Sequence, residues 1–183
     1  MPQPLLELAA KYSSIVTFKF LLEHGAKLGR RTLHCAVHYA ASIGADPSVP
    51  PTNTSWSGFQ PSTKYGLERR RMSELLPYLC DVLRQDINAM DIEGEDMPAG
   101  FYGTPLCYAV NANGVAIVKW LLRRREKPIV GGPESRGDAE VYARQLDLGE
   151  FIEVFEKWRS SGRRESYSPY YAPPLPRTAM SVS

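Results

Sequence analysis

Thr104-Pro105-Leu106-Cys107-Tyr108-Ala109-Val110 is the most informative stretch of this 183-residue chain. Threonine is a strong helix N-cap, because its side-chain oxygen satisfies an orphan N–H of the first turn. Proline suits the first helical position, where no N–H is needed and φ is already set. Leu106, Ala109 and Val110 then recur at helical spacing. Asn113-Gly114 interrupts the pattern, and Ile117-Val118-Lys119-Trp120-Leu121-Leu122 supplies a second apolar run. The segment predicts a short helix, a tight polar break and a second helix.

The arrangement recurs along the chain. Asp138-Ala139-Glu140-Val141-Tyr142-Ala143-Arg144 opens 34 positions later and continues through Phe151-Ile152 and Val154-Phe155. Near the start, Leu5-Leu6-Glu7-Leu8-Ala9-Ala10 leads into Thr17-Phe18-Lys19-Phe20-Leu21-Leu22. This pattern resembles the ankyrin repeat, with its period of about 33 residues and its Thr-Pro-Leu-His-x-Ala opening. Thr104-Pro105-Leu106 with Ala109 is the most specific match. Leu22-Glu23-His24-Gly25-Ala26 and Asp86-Ile87-Asn88-Ala89-Met90-Asp91 resemble the end of a repeat and the finger that follows. Tyr142-Ala143-Arg144 resembles the opening of a capping repeat.

The resemblance implies an all-α, ankyrin-like helix-turn-helix solenoid with short β-hairpin fingers. Four repeats are expected, at about 4–30, 31–90, 91–128 and 129–158. No single helix pair of this kind buries its apolar face alone, so neighbours must stack. Residues 46–66, rich in Pro, Ser and Thr, form an insertion in the second repeat, longer than ordinary loops. Pro4 and Thr104 stand 100 positions apart, but residues 46–66 lack apolar periodicity, so the spacing does not indicate a fifth repeat. Residues 159–183, rich in Ser, Tyr and Pro, read as a disordered tail.

The second repeat admits two frames. Leu33-His34-Cys35-Ala36-Val37 and Val37-His38-Tyr39-Ala40-Ala41 both resemble the family's Leu-His-x-Ala-Ala, and one helix over 31–43 accommodates either. Its partner helix is expected over 67–83, with Leu75, Leu76, Leu79 and Leu83 on one face and Pro77 kinking it or delaying its start.

Composition bounds the function. Twenty-two Lys and Arg against twenty Asp and Glu give a net charge of +2, which argues against nucleic acid as a partner. At 43% hydrophobic residues most of the chain should fold, and no apolar run approaches the ~20 residues of a membrane span. The N-terminus lacks the pattern of a secretory leader. Three cysteines, Cys35, Cys80 and Cys107, without a short pair spacing fit a reducing compartment, and an intracellular location is expected. His34 and His38 have the i, i+4 spacing of a helical metal grip, but no third ligand accompanies them. Phosphate-binding loops, nucleophile elbows and paired-carboxylate sites are not found, so neither catalytic residues nor a metal nor a cofactor is expected. Asn53-Thr54-Ser55 is a sequon without a secretory context, and Pro173-Pro174-Leu175-Pro176 could adopt polyproline II.

The expected function is therefore binding of a protein partner, with no small-molecule substrate and no membrane. A regulatory adaptor or transcriptional coregulator subunit is the alternative, and a small enzyme in an irregular helical array a remote one. The family's contact surface, finger tips and the exposed ends of first helices, carries over to Lys11, Tyr12, Arg31, Phe101, Tyr102, Asn111, Ala112, Gln145 and Leu146. The runs Arg69-Arg70-Arg71 and Arg123-Arg124-Arg125 read as solvated faces, the later one also complementing a helix dipole. Asp91, Glu93, Glu95 and Asp96 cluster in the third finger, where they could meet either run or a basic partner. At the N-terminal end Leu5, Leu8 and Ile15 leave an apolar patch, which points to self-association, an upstream neighbour or a docking site. The last repeat is polar outside, through Arg144, Gln145, Glu150, Glu153, Glu156 and Lys157.

Overall fold

The computed structural model describes residues 4–48, 64–91, 103–124 and 139–161. Phe101 and Tyr102, the acidic residues Glu93, Glu95 and Asp96, most of the insertion and the tail beyond residue 161 lie outside that set.

The described chain is all helix and connection. Helices α1 (Leu5–Tyr12) and α2 (Ile15–Glu23) form a first pair, α3 (Thr32–Ser42) and α4 (Lys64–Pro77) a second. Helices α5 (Pro105–Asn111) and α6 (Val115–Arg123) form the third pair, α7 (Ala139–Gln145) and α8 (Gly149–Ser160) the fourth. First helices pack in series, α1 on α3, α3 on α5 and α5 on α7, while α2 meets α4 and α6 meets α8 behind them. Helix α8 reaches two residues beyond the expected boundary at 158.

Local chemistry sets the ends of these helices. Thr104 caps α5 by accepting the Cys107 N–H at 3.4 Å, and Pro105 is the first helical residue. Three first helices end alike: Gly44, Asn113 and Asp147 adopt positive φ. The next N–H then bonds back to Ala40, Ala109 and Ala143 respectively, each at 2.9 Å. This satisfies the last carbonyls and turns the chain sharply into its partner helix. Gly114 follows directly, and a Cβ there would lie 2.8 Å from the Ala41 Cα, so α6 can start against α3 only without a side chain.

The start of α3 fits the first of the two frames, whereas its Gly44 turn falls four residues later in the helix than those at Asn113 and Asp147, so α3 is one turn longer. Arg31 is the N-cap and Thr32 the first residue of α3, so Leu33-His34-Cys35-Ala36-Val37 takes the place of Leu106-Cys107-Tyr108-Ala109-Val110, and all ten are buried. Its partner α4 starts earlier than expected and buries Met72, Leu75 and Leu76. Pro77 ends its α-helical hydrogen bonding, because proline has no N–H to donate and its ring crowds the preceding turn. The chain widens into a π turn, Tyr78–Val82, closed by the Leu83 N–H on the Tyr78 carbonyl at 3.0 Å.

A continuous core runs through the pairs. Leu6, Leu33 and Leu106 fill the first-helix layer, and Phe18, Leu79, Leu121, Phe151 and Phe155 fill the second. Each such side chain contributes about 1.5–3 kcal/mol on burial. The fourth pair docks through the Trp158 Nε1–H, which donates to the Leu122 carbonyl at 3.2 Å. Its buried Glu140 carboxylate is held by Arg144 at 2.9 Å and by Arg159.

Four expectations are corrected. Among the described residues there is no β-strand. Residues 24–31 run as turns, closed locally by the Ala26 N–H on Leu21 and the Thr32 N–H on Gly29, and leave no paired arms for a hairpin. Second, Arg69 and Arg71 are half-buried and bonded to backbone carbonyls rather than freely solvated. Arg69 donates to the Ile43 carbonyl at 2.6 Å, and Arg71 donates to the carbonyls of Lys11, at 2.5 Å, and Ser13. Both cations sit where a helix C-terminus presents orphan carbonyls and partial negative charge. In the later run Arg124 lies over the Trp120 ring at 3.8 Å and pairs with Asp81 at 2.8 Å. Third, Asp91 meets neither run. It is buried against Arg31, at 3.5 Å, and Tyr108. Fourth, Ile15 is half-buried against the core, while Leu5 and Leu8 are exposed as expected.

Candidate protein-interaction surface

The serial packing aligns equivalent positions of the first helices. The third residues of α1 and α3 tie those helices to the chain that follows. Glu7 accepts the Arg31 N–H at 3.1 Å, and His34 Nε2 donates to the Ala89 carbonyl at 3.0 Å. Burial holds the His34 ring below the ordinary histidine pKa. Cys107, the third residue of α5, is fully buried.

The fourth residue turns back toward the preceding pair. Tyr108 donates its hydroxyl to Asp91, while Arg31 donates to the Tyr108 oxygen at 2.9 Å. The Tyr108 ring receives His34 edge-on at 5.2 Å. Asp91 also accepts the Gly103 N–H at 2.9 Å, and the Asp91 N–H reaches the Gly103 carbonyl at 3.3 Å, so Asp91 holds positions 91 and 103 together. Burial, then the hydrogen bond to Asp91, pushes the Tyr108 phenol far above its ordinary pKa. Tyr142, one repeat on, donates to Asn111 Oδ1 at 2.8 Å.

The seventh and eighth positions counted from the start of each first helix are exposed or half-buried. Lys11 and Tyr12 end α1, with Tyr12 exposed and Lys11 half-buried. Asn111 ends α5 exposed, Ala112 follows it half-buried, and Gln145 and Leu146 at the end of α7 are exposed. The structure brings Tyr12 beside Tyr39, rings 6.0 Å apart and edge-on, and Asn111 beside Tyr142. Arg31 stands apart from this row: half of its side chain is exposed, and its guanidinium is committed to Tyr108 and Asp91.

His38 and Tyr39 occupy the same two positions of α3 and complete the row. Reading the sequence missed them because the frame of the second repeat stayed open. Anchoring it on Leu33 would have selected both. Burial and nearby Lys11 lower the His38 pKa, while burial and the hydrogen bond to Glu68 raise that of Tyr39. At one end of the row, Tyr12, Ile15, Val16, Tyr39, Leu67 and Arg71 border an open cleft of about 410 Å³. Among the described residues, His, Cys, Asp and Glu nowhere group in threes as a metal site would need, and no helix is long and apolar enough to cross a membrane.

Comparison with known proteins yields one match. The ankyrin repeat family model fits residues 103–129. No curated protein and no solved structure matches the chain. The matched segment contains the Thr104 cap, the Asn113-Gly114 turn and the apolar second helix described above. Residues 103–129 are thus an ankyrin repeat, a motif of protein–protein interaction, set in this chain between helix pairs of like construction.

Proposed function

We propose that the four helix pairs form a short ankyrin-type solenoid whose role is to bind a partner protein without catalysing a reaction. The observation that carries this reading is the row of side chains at one helical register. Lys11-Tyr12, His38-Tyr39, Asn111-Ala112 and Gln145-Leu146 follow one another along the serially packed first helices. Aromatic and amphipathic side chains on a rigid scaffold supply contact area at low entropic cost, which suits them as anchors. Asp91 and Gly103 are hydrogen-bonded to each other, and residues 92–102 between them, Phe101 and Tyr102 included, are the enlarged finger of this reading. The module acts inside the cell.

Affinity capture with the full chain as bait tests the partner row. Lys11→Glu with Leu146→Asp should lower recovery of the captured protein at least about tenfold, as loss of interface anchors does. Melting temperature should change little, because Leu146 is exposed and Lys11, half-buried, ends α1 with no side-chain hydrogen bond in the described structure. Unchanged recovery, or a loss matched by a fall in melting temperature, would remove the row as the binding surface.

A further inference from the structure

The charges along the first helices are sorted by depth. Glu7 of α1 and Glu140 of α7 are the carboxylates of these four helices, and both are buried. Asp91, against Tyr108 of α5, is buried as well, and the exposed Asp147 lies beyond α7, in the turn to α8. The cations stand farther out. Arg31, the N-cap of α3, is 50% exposed over an Asp91 at 1%, and Arg144 of α7 is 47% exposed over a Glu140 at 4%. Each of these arginines is thereby matched to a carboxylate, and Lys11 and His38 are not. They are the seventh residues of α1 and α3, which pack side by side, and both are half-buried. Neither side chain makes a hydrogen bond or an ion pair among the described residues. Lys11 is near enough to help depress the His38 pKa, while Glu7, one turn earlier on α1, is turned to the Arg31 N–H. From α5 the Tyr108 ring meets His38 edge-on at 6.1 Å, with its hydroxyl given to Asp91. Helix α4 brings Glu68 and Arg71 to Tyr39 and Arg69 to Ile43, and α6 meets α3 where Gly114 faces Ala41. On α3 itself, His34 is bonded to the Ala89 carbonyl. Two bases thus lie together at one end of the row without an anion among the described residues.

We infer, on the reading of the first-helix ends as the contact surface, that the partner segment lying there is acidic and sets a carboxylate between Lys11 and His38. Complementary charge steers association and excludes wrong partners. A basic segment would set its own cations against Lys11, Arg31 and Arg144, which are the charges that the first helices show to solvent. Beside the two bases the Tyr12 and Tyr39 rings, edge-on at 6.0 Å, offer apolar contact to a neighbouring side chain of the segment. Farther along, the seventh positions are the amides Asn111 and Gln145 and the eighth are Ala112 and Leu146, which require no charge opposite them. Packed helices stand about 8–10 Å apart, so the row from α1 to α7 is about 24–30 Å long, and an extended segment rising ~3.3 Å per residue covers it in about eight residues. A carboxylate at His38 favours the imidazolium. His38 therefore gains a proton on binding, and affinity is lost as pH rises through the pKa that His38 has in the complex.

Selection of a phage-displayed library of random dodecapeptides on the immobilised full chain, at about pH 6, tests this chemistry. Enriched sequences should carry more Asp and Glu than Lys and Arg. Fluorescein-labelled copies of the strongest, followed by anisotropy at constant ionic strength, should bind about fivefold more weakly at about pH 8 than at about pH 6, as a rise of about one unit in a single pKa requires. Lys11→Gln should weaken binding at the lower pH, and His38→Gln should remove the pH dependence. NMR titration of the three histidine rings in the unaltered chain reads the same proton directly: the peptide should raise the His38 pKa and leave His24 and His34 in place. Peptides that are lost on Leu146→Asp yet are neutral or basic, or that leave His38 unmoved, would overturn the acidic partner and keep the row. No enrichment, or acidic peptides indifferent to both Lys11→Gln and Leu146→Asp, would overturn the row and the acidic partner together.

Discussion

Removing the Asp91 carboxylate should do more damage than any other single change to a polar side chain in the described structure. Its side chain is 1% exposed and accepts from the Gly103 N–H, the Tyr108 hydroxyl and the Arg31 guanidinium. Asp91→Ala removes the acceptor that the first two donors share in buried surroundings. Hydrogen bonds to a charged group contribute about 1.5–3 kcal/mol each. The Arg31 pair adds less, since half of that side chain is in water and exposed pairs are worth about 0–1 kcal/mol. Allowing for non-additivity, the loss should be about 3–4 kcal/mol, within the range for breaking a buried pair. Tyr108→Phe removes one of the bonds and should cost about 1–2 kcal/mol. The double variant should cost less than the sum of the two, because both changes delete the same bond. Urea unfolding followed by circular dichroism gives all three values. An Asp91→Ala loss under about 1 kcal/mol, the range of an exposed site, would refute the claim that this carboxylate holds positions 91 and 103 together. The same contact sets an alkaline limit. The Tyr108 pKa is raised above the unfolded value of about 10, so its contribution is complete below that pH and fades as pH climbs through the folded value. Absorbance at 295 nm should show one tyrosine ionising only as the protein unfolds, and that component should vanish in Tyr108→Phe.

Leu121, fully buried in α6, should cost about 2–5 kcal/mol on replacement by alanine, which thermal or urea unfolding will register; a change under about 1 kcal/mol would displace it from the core. Gly114→Ala should cost about 1–3 kcal/mol by forcing α6 away from Ala41, whereas Gly149→Ala, with open space around its Cβ, should be close to neutral. Stability should also fall in acid. The folded His34 pKa is depressed, so its contribution is present above the unfolded value of about 6.5 and is lost as pH falls through the folded value. His34→Gln should flatten that part of the pH–stability curve, and an unchanged slope would assign it to other groups.

Much of this fold was legible because its signals are local. The Thr104 side chain and the Pro105 ring act within one helical turn, and so does the αL residue at Asn113, so the sequence around them states its own structure. What could not be read depended on distant partners. Arg71 looks like any surface arginine beside Arg69 and Arg70, yet its acceptors are carbonyls at Lys11 and Ser13. Asp91 is one acid in a run of four, and only the meeting of Tyr108 and Arg31 sets it inside. The frame of α3 was ambiguous because Val37-His38-Tyr39-Ala40-Ala41 imitates the repeat opening one turn late. The neighbours α1 and α5 decide which copy is buried. That same ambiguity hid His38 and Tyr39 from the candidate row. Ile15 and Val16 show the limit at the N-terminal end: both are apolar and adjacent, and the packing of α2 alone determines which faces water.

Hydrogen exchange of the full chain, alone and with the protein it captures, tests the partner row most directly. The account predicts new protection in peptides covering residues 36–42, 108–113 and 142–147, the ends of the first helices, with α8 unchanged. Protection confined to α8 or to the outer faces of α4 and α6, with those three segments unaffected, would contradict it.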